Sequence, residues 1–251
     1  MRVIILFVLA VGLLAMLLQP RAEGVLGAYS TSLDGRTAGQ RLNAMLAAKA
    51  IDGAVIEPGH VFSFNRTVGP WSMDRGYVRA PVSYEGELVK DWGGGVCQTS
   101  TTLYNAGLLA GLKIVERHRH TWAPRYAPPG LDAAVAQYDV DLRLQNPYRW
   151  PVRIRLRNVG DSLAFEVLGR DRGPIAGVTG VTTGRVDPME IVQNSVHVPA
   201  GQRRVITRGK PGACVAVYRV FDKGPRAGIR ELVSRDSYPA MNRVVALGVA
   251  P

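Results

Sequence analysis

Metal-ligating residues are scarce in this chain: it has only two cysteines, Cys97 and Cys214, and four histidines, His60, His118, His120 and His197. Neither a Cys-x-x-Cys nor a His-Glu-x-x-His spacing occurs, so zinc-ribbon and zincin chemistry has no support and no metal is expected. A Gly-x-Gly-x-x-Gly turn and a Gly-Lys-Ser/Thr phosphate loop are also missing, and Gly93-Gly94-Gly95 is followed by no basic residue. No nucleotide cofactor, and no other cofactor, is therefore expected. Acidic residues are outnumbered, 20 against 31 Lys and Arg, giving a formal net charge of +11 and a pI near 10.1. That excess attracts polyanions at long range. Without a compact basic patch interleaved with aromatics, a helix-turn-helix or an RNA-binding signature, nucleic acid is not the expected partner. Anionic lipid or an anionic wall polymer fits better.

Long hydrophobic runs are absent except at the start, where Met1-Arg2 precedes an apolar run from Val3 to Leu18 that ends at Gln19-Pro20-Arg21. The run suits a signal-peptide hydrophobic region and is short beside the ~20 apolar residues a spanning helix needs. Pro20-Arg21-Ala22 is a poor cleavage site, so residues 1–24 are expected to be an uncleaved signal or anchor segment. Arg2 would lie inside, and the rest would be exported to the extracytoplasmic side or secreted. The oxidising exterior permits a disulfide between Cys97 and Cys214, which would leave Cys97 no nucleophilic role.

With 28 glycines and 16 prolines among short runs of Val, Ile, Leu and Tyr, strands should outnumber helices and the fold class should be α+β. Residues 25–36 read as a linker. Thr37 with Gln40 has capping-box form, and Leu42, Met45, Leu46 and Ala50 follow as the expected core face of a helix that stops at Gly53. Pro58-Gly59 predicts a turn into a strand through Val61, Phe62 and Phe64, and Tyr77 to Val89 predicts a hairpin. Thr99 to Leu112 predicts a helix buried on all sides. Lys113 to Trp122 reads as a strand with Ile114, Glu116, His118 and His120 on one face, and Asp139 to Leu144 as another. Val152–Leu156 and Leu163–Val167 flank a hairpin turn at Gly160-Asp161. A first domain over 37–169 is followed by a small β domain over 170–251, with runs at Ile191–Val198, Arg203–Thr207 and Cys214–Phe221.

Chemistry is expected around Cys97. The glycines before it allow a side-chain-free approach to a ligand, and a following helix N-terminus lowers a thiol pKa and offers backbone N–H groups to an oxyanion. His118 or His120 could take the thiol proton, with Asp132, Asp139 or Asp141 orienting the imidazole. Gly94, Gly95, Gln98, Asn105, Asp139 and Asp141 are the candidate substrate-binding residues. Against this stand an inert packed or disulfide-bonded Cys97 and an exposed basic strand edge carrying the two histidines.

The blocks Pro58-Gly59-His60-Val61-Phe62-Ser63-Phe64-Asn65, Val68-Gly69-Pro70, Gly76-Tyr77 and Ala80-Pro81 resemble the opening of the VanW-like family. Gly93 to Ala106, Glu116-Arg117-His118-Arg119-His120, Pro129-Gly130-Leu131-Asp132-Ala133, Asp139-Val140-Asp141-Leu142 and Asn146 resemble its central motifs. The resemblance covers about residues 37–160, with Asp74 in place of an expected Glu. It implies work on the bacterial cell wall, with peptidoglycan as partner and Cys97, Gln98, His118, His120 and Asp132 as the site. The peptidoglycan-binding repeats of longer relatives do not occur in this sequence. Residues 170–251 are similar to a G5 domain, a small β module often attached to wall-active proteins, through Gly209, Gly212, Val215, Gly228, Glu231, Ser234, Tyr238, Pro239 and Val244 to Gly248. From Arg203 onward ten Lys/Arg oppose three Asp/Glu, which suits an anionic wall polymer. Two functions follow: a cysteine-dependent hydrolase or acyl transferase acting on peptidoglycan peptides, or a non-enzymatic wall-binding or scaffolding protein.

Overall fold

The computed structural model describes residues 23–84, 87–170, 175–222 and 226–250. The expected anchor lies, over residues 1–22, outside them. Helix α1 (Ala38–Ile51) starts as the capping box requires: Thr37 Oγ1 accepts from the Gln40 amide at 3.3 Å, and Gln40 Oε1 accepts from the Thr37 amide at 3.1 Å. Its core face differs from the expected one. Ala44, Ala47, Ala48 and Ile51 are buried and the expected Met45 and Leu46 pack partly buried against the core, whereas Leu42 and Ala50 are exposed. The cause is a close approach that only small side chains permit, since a Cβ on Gly95 would fall 2.2 Å from the Gln40 carbonyl oxygen.

A short helix α2 (Phe64–Val68) is followed by α3 (Val96–Leu109), which begins three residues before the expected helix, so Cys97 lies in its first turn. Nearly all of α3 is buried, and its polar side chains are satisfied inside the protein: Thr99 donates to Ala44 O at 2.9 Å and Ser100 to Ala133 O at 2.7 Å.

The first layer over α3 is an antiparallel sheet ordered β1 (Gly24–Ser32), β9 (Ser162–Gly169), β8 (Val152–Val159), β2 (Val55–Ile56). The linker expected over 25–36 is therefore corrected: most of it is β1, paired from Gly24↔Gly169 to Ser32↔Ser162 and packed on α3. Gly27 is needed there because a Cβ would lie 2.2 Å from the Ala110 amide nitrogen. Leu163, Phe165, Val167 and Ile154 carry the inner face and are fully or almost fully buried, each worth ~1.5–3 kcal/mol relative to exposure.

A second sheet runs β3 (Val61–Ser63), β7 (Arg143–Gln145), β6 (Lys113–Glu116), and β4 (Arg79–Tyr84) with β5 (Glu87–Trp92) forms the expected hairpin. The long strand expected to Trp122 ends at Glu116, where the register shifts, and beyond it only an isolated bridge joins His118 to Ala134. The strand expected over 139–144 is likewise confined to β7.

The C-terminal part holds two three-stranded sheets. One is antiparallel, β10 (Ile175–Val186), β13 (Gly212–Phe221), β14 (Arg230–Tyr238). The other is mixed, with β15 (Arg243–Gly248) between β11 (Glu190–Ser195) and β12 (Arg203–Thr207). This part is bolted to α3. The buried Arg219 guanidinium on β13 donates to the carbonyls of Leu108 at 3.3 Å and Leu112 at 2.8 Å while pairing with Glu231 at 2.8 Å. A cation thereby meets carbonyls at and just beyond a helix C-terminus, where the helix dipole favours positive charge.

Candidate active site

Three chain segments converge on Cys97. It enters α3 through Gly95, whose φ of 111° belongs to the left-handed region that glycine adopts without strain. The segment after β6 brings His120, and the loop at Gly130-Leu131-Asp132 brings the carboxylate. His120 Nδ1 lies 2.7 Å from Asp132 Oδ2, and the His120 amide donates to the same oxygen at 2.7 Å. With Nδ1 occupied by a carboxylate, Nε2 is the ring nitrogen left to interact with the nearby Cys97 thiol, to which His120 is electrostatically coupled. The sulfur also lies 3.4 Å from Val135 O, and Tyr126 Oη is 3.5 Å from His120 Nε2.

Asp132 is fully buried, and its second oxygen is held just as firmly. Tyr238 Oη donates to Oδ1 and accepts from the Gly130 amide at 2.7 Å, and Arg117 Nη2 donates to Oδ1 at 3.0 Å. Arg117 Nη1 reaches Asp236 at 2.6 Å, and Arg117 Nε reaches the Asp132 carbonyl at 2.6 Å. One buried arginine thus links two carboxylates, with both Asp236 and Tyr238 coming from β14.

These contacts set the charges. Burial would push the Cys97 thiol up, but its hydrogen bond to His120 and the imidazolium charge outweigh that and hold it below its ordinary value. Burial would lower His120, yet Asp132 and the Cys97 sulfur push it up to about 9. Burial would raise Asp132, whereas His120, Tyr238 and Arg117 together hold it below the usual carboxylate range. The three groups are coupled: the Asp132 carboxylate supports the His120 cation, and that cation in turn favours the thiolate form of Cys97. Although the protein packs densely around the sulfur, Cys97 as a residue keeps some solvent contact.

The other expected site residues are placed differently. His118 does not share the direction of His120: its ring contacts Glu116 at 2.9 Å on the surface, because the strand that would have aligned the two ends at Glu116. It is thereby removed from the candidate catalytic set, and no Cys97–His118–His120 cluster forms. Gly94 and Gly95 open no ligand path: a Cβ on Gly94 would sit 2.7 Å from the carbonyl oxygens of Ala80 and Pro81, so both glycines serve packing. Asn105 is buried, donating to Thr101 O at 2.8 Å and Leu131 O at 2.7 Å, which holds the Asp132 loop on α3. Asp141 accepts from the amides of Asn65 at 2.9 Å and Leu142 at 2.8 Å, a brace for α2 rather than a substrate contact. Asp139 is exposed, and neither it nor Asp141 reaches His120. Gln98 is buried beside the site, and Cys97 and Cys214 are both free thiols. The amides of Val96 and Gln98 bond to the Gly93 and Gly95 carbonyls, leaving the Cys97 amide as the expected first-turn donor to an oxyanion.

The VanW like protein family model matches residues 39–168, just over half of the chain and the whole Cys97–His120–Asp132 constellation. The chain belongs to the VanW-like family. It is 42% identical over 146 residues to the uncharacterized protein YoaR of Bacillus subtilis, covering 58% of this chain and 48% of that protein. To the vancomycin B-type resistance protein VanW of Enterococcus faecalis it is 34% identical over 110 residues, covering 41% and 40%. The chain thus spans less than half the length of these VanW-like relatives. Among solved structures, an IgA1 protease G5 domain is 26% identical, covering 30% of this chain and 88% of its own at a TM-score of 0.24. The HP0197 G5 domain is 21% identical, covering 29% and 93% at a TM-score of 0.19.

Sequence reasoning singled out Cys97, His120 and Asp132 but missed Arg117, Tyr238, Asp236 and Tyr126 around them. Arg117 lay inside the Glu116–His120 block and could have been read as the buried partner of a carboxylate. Tyr238 carried no such signal, since 106 residues separate it from Asp132.

Proposed function

We propose that this VanW-like protein is a cell-envelope enzyme, a cysteine-dependent hydrolase or acyl transferase acting on peptidoglycan peptides. The observation that carries the reading is the placement of His120 between the Cys97 thiol and the buried Asp132. The Cys97 thiolate attacks a peptide carbonyl, forming a C–S bond, and the Cys97 amide steadies the developing oxyanion. The His120 imidazolium then gives its proton to the departing amine as the C–N bond breaks. Water or an amine next attacks the thioester while His120 takes its proton, and the thiolate leaves. Asp132 keeps the imidazole in the tautomer that both steps need. The peptidoglycan assignment is supported by what the resemblance of the sequence motifs implies and by the similarity to a vancomycin B-type resistance protein of Enterococcus faecalis. Export and attachment through residues 1–24 belong to the same proposal.

The test is incubation of the protein, and of its Cys97→Ala and Cys97→Ser variants, with soluble peptidoglycan fragments, read by mass spectrometry for changed peptides and for an acyl adduct on Cys97. Turnover that both variants retain, with fold intact, would sink the enzyme reading. A second reading, wall binding without catalysis, is favoured by the exposed Arg203, Arg204, Arg208 and Lys210 on and after β12. It expects wall material to be pulled down equally by Cys97→Ala and no fragment to change.

A further inference from the structure

Arg36 leads from β1 into the cap of α1, and its guanidinium is half-buried. It stacks on the Tyr126 ring, 4.7 Å from the centroid, and its Nε donates to Gln98 Oε1 at 2.9 Å. Gln98 is itself fixed, its Nε2 donating to Thr31 Oγ1 at 3.0 Å and Ser32 O at 2.7 Å, so its oxygen can turn only toward Arg36. The other arginines withdrawn from solvent in this fold have carboxylates: Arg117 has Asp132 and Asp236, and Arg219 has Glu231. Among the described residues Arg36 has no carboxylate within ion-pair distance, and burial pulls its pKa below the ordinary value against the opposing influence of Tyr126.

A guanidinium held on two sides, partly desolvated and lacking an anion, presents its two terminal nitrogens as a preformed fork for a bidentate carboxylate. Its position gives that fork a purpose. Gln98 directly follows Cys97, and the Tyr126 hydroxyl lies 3.5 Å from His120 Nε2, so one aromatic ring separates the fork from the Cys97–His120 pair.

We infer that Arg36 binds a carboxylate of the substrate, so that the acyl group attacked by Cys97 comes from, or is transferred to, a peptide carrying a free carboxylate close to the reacting carbonyl. The inference rests on Cys97 being the nucleophile. The carboxylate is either a terminal one or an acidic side chain, and the same fork would hold both.

The test uses haloacetyl reagents that alkylate Cys97 and differ only in charge. N-iodoacetylglycine is compared with N-iodoacetylglycinamide for a terminal carboxylate, and N-iodoacetyl-aspartic acid α-amide with the asparagine analogue for a side-chain carboxylate. The rate ratio of acid to amide is read by mass spectrometry. A ratio of about ten is expected for at least one pair, since one charge-assisted fork interaction of ~1.4 kcal/mol gives a tenfold difference. The favoured pair identifies the source. The ratio should collapse toward one in Arg36→Gln, fall partway in Arg36→Lys, and persist in Arg66→Gln, which loses the same unit of charge at an exposed site. Equal labelling of the wild-type protein by acid and amide, which needs no variant, would overturn the carboxylate assignment alone, as would a ratio that survives Arg36→Gln. A folded protein whose Cys97 reacts with none of the reagents would overturn the nucleophile itself, and the carboxylate site with it.

Discussion

Replacing Asp132 by Asn keeps the shape of the side chain and removes its charge. In the wild-type protein His120 is lifted from an ordinary 6.5 to about 9, with Asp132 the first contributor to the rise after burial's opposing influence. At about 1.4 kcal/mol per pH unit, that lift amounts to ~3 kcal/mol in favour of imidazolium. Without the carboxylate, burial still disfavours the cation and only the sulfur remains to support it. The His120 pKa should therefore fall well below 9, and the pH midpoint for Cys97 alkylation should rise, because the thiol loses the imidazolium that holds it down. Iodoacetamide labelling from about pH 5 to pH 10, read by mass spectrometry, measures the second change, and imidazole NMR measures the first. The linkage sign follows from the raised value. His120 contributes stability that is complete below 6.5 and lost as pH rises through about 9, so that alkaline loss should flatten in Asp132→Asn. A cost of ~3–5 kcal/mol is expected from breaking a buried charged pair, with Arg117 retaining Asp236 as a partner. A folded Asp132→Asn protein with an unmoved labelling midpoint would refute the argument that Asp132 sets the state of the Cys97–His120 pair.

Two further outcomes follow from the same geometry. Tyr238→Phe removes a hydrogen bond to a charged group and strands the Gly130 amide, so thermal unfolding should show a loss of ~1.5–3 kcal/mol. Its labelling midpoint should move in the same direction as in Asp132→Asn but less, and a loss of stability with no such movement would reduce Tyr238 to a packing role. Gly95→Ala forces a Cβ to within 2.2 Å of the Gln40 carbonyl at a φ of 111°, so little soluble protein should be recovered. Wild-type stability in that variant would contradict the close approach of α1 and α3.

Local rules carried the reading as far as local rules reach. The Thr37–Gln40 capping box, the buried helix after Gly95 and the hairpin across Gly160-Asp161 all depend on residues a few positions apart, and each is present. The glycine-rich stretch that becomes β1 had no such signature, because its pairing with β9 spans more than a hundred residues and its glycine serves a contact with Ala110. His118 and His120 were assigned a common face on a two-residue period, which fails once a register shift ends β6 at Glu116. Helical spacing places Met45 and Leu46 of α1 correctly against the core but not Leu42 and Ala50, because the tight α1–α3 approach turns the alanine-rich face inward. Of the candidate site, Cys97, His120 and Asp132 were legible in the motifs, but Tyr238, which donates to Asp132, and Asp236, which pairs with Arg117, are supplied by β14.

That last arrangement also fixes an order of events. Chains are made N-terminus first and their parts fold as they emerge, so Cys97, His120 and Asp132 are all available before Tyr238 and Asp236 arrive on β14 and before Arg219 closes the end of α3. Until then Asp132 lacks the tyrosine donor on its second oxygen, and Arg117 lacks its second carboxylate. A chain that stops short of β14 would therefore leave Asp132 with fewer donors, and with them part of what holds the Cys97 thiol below its ordinary value.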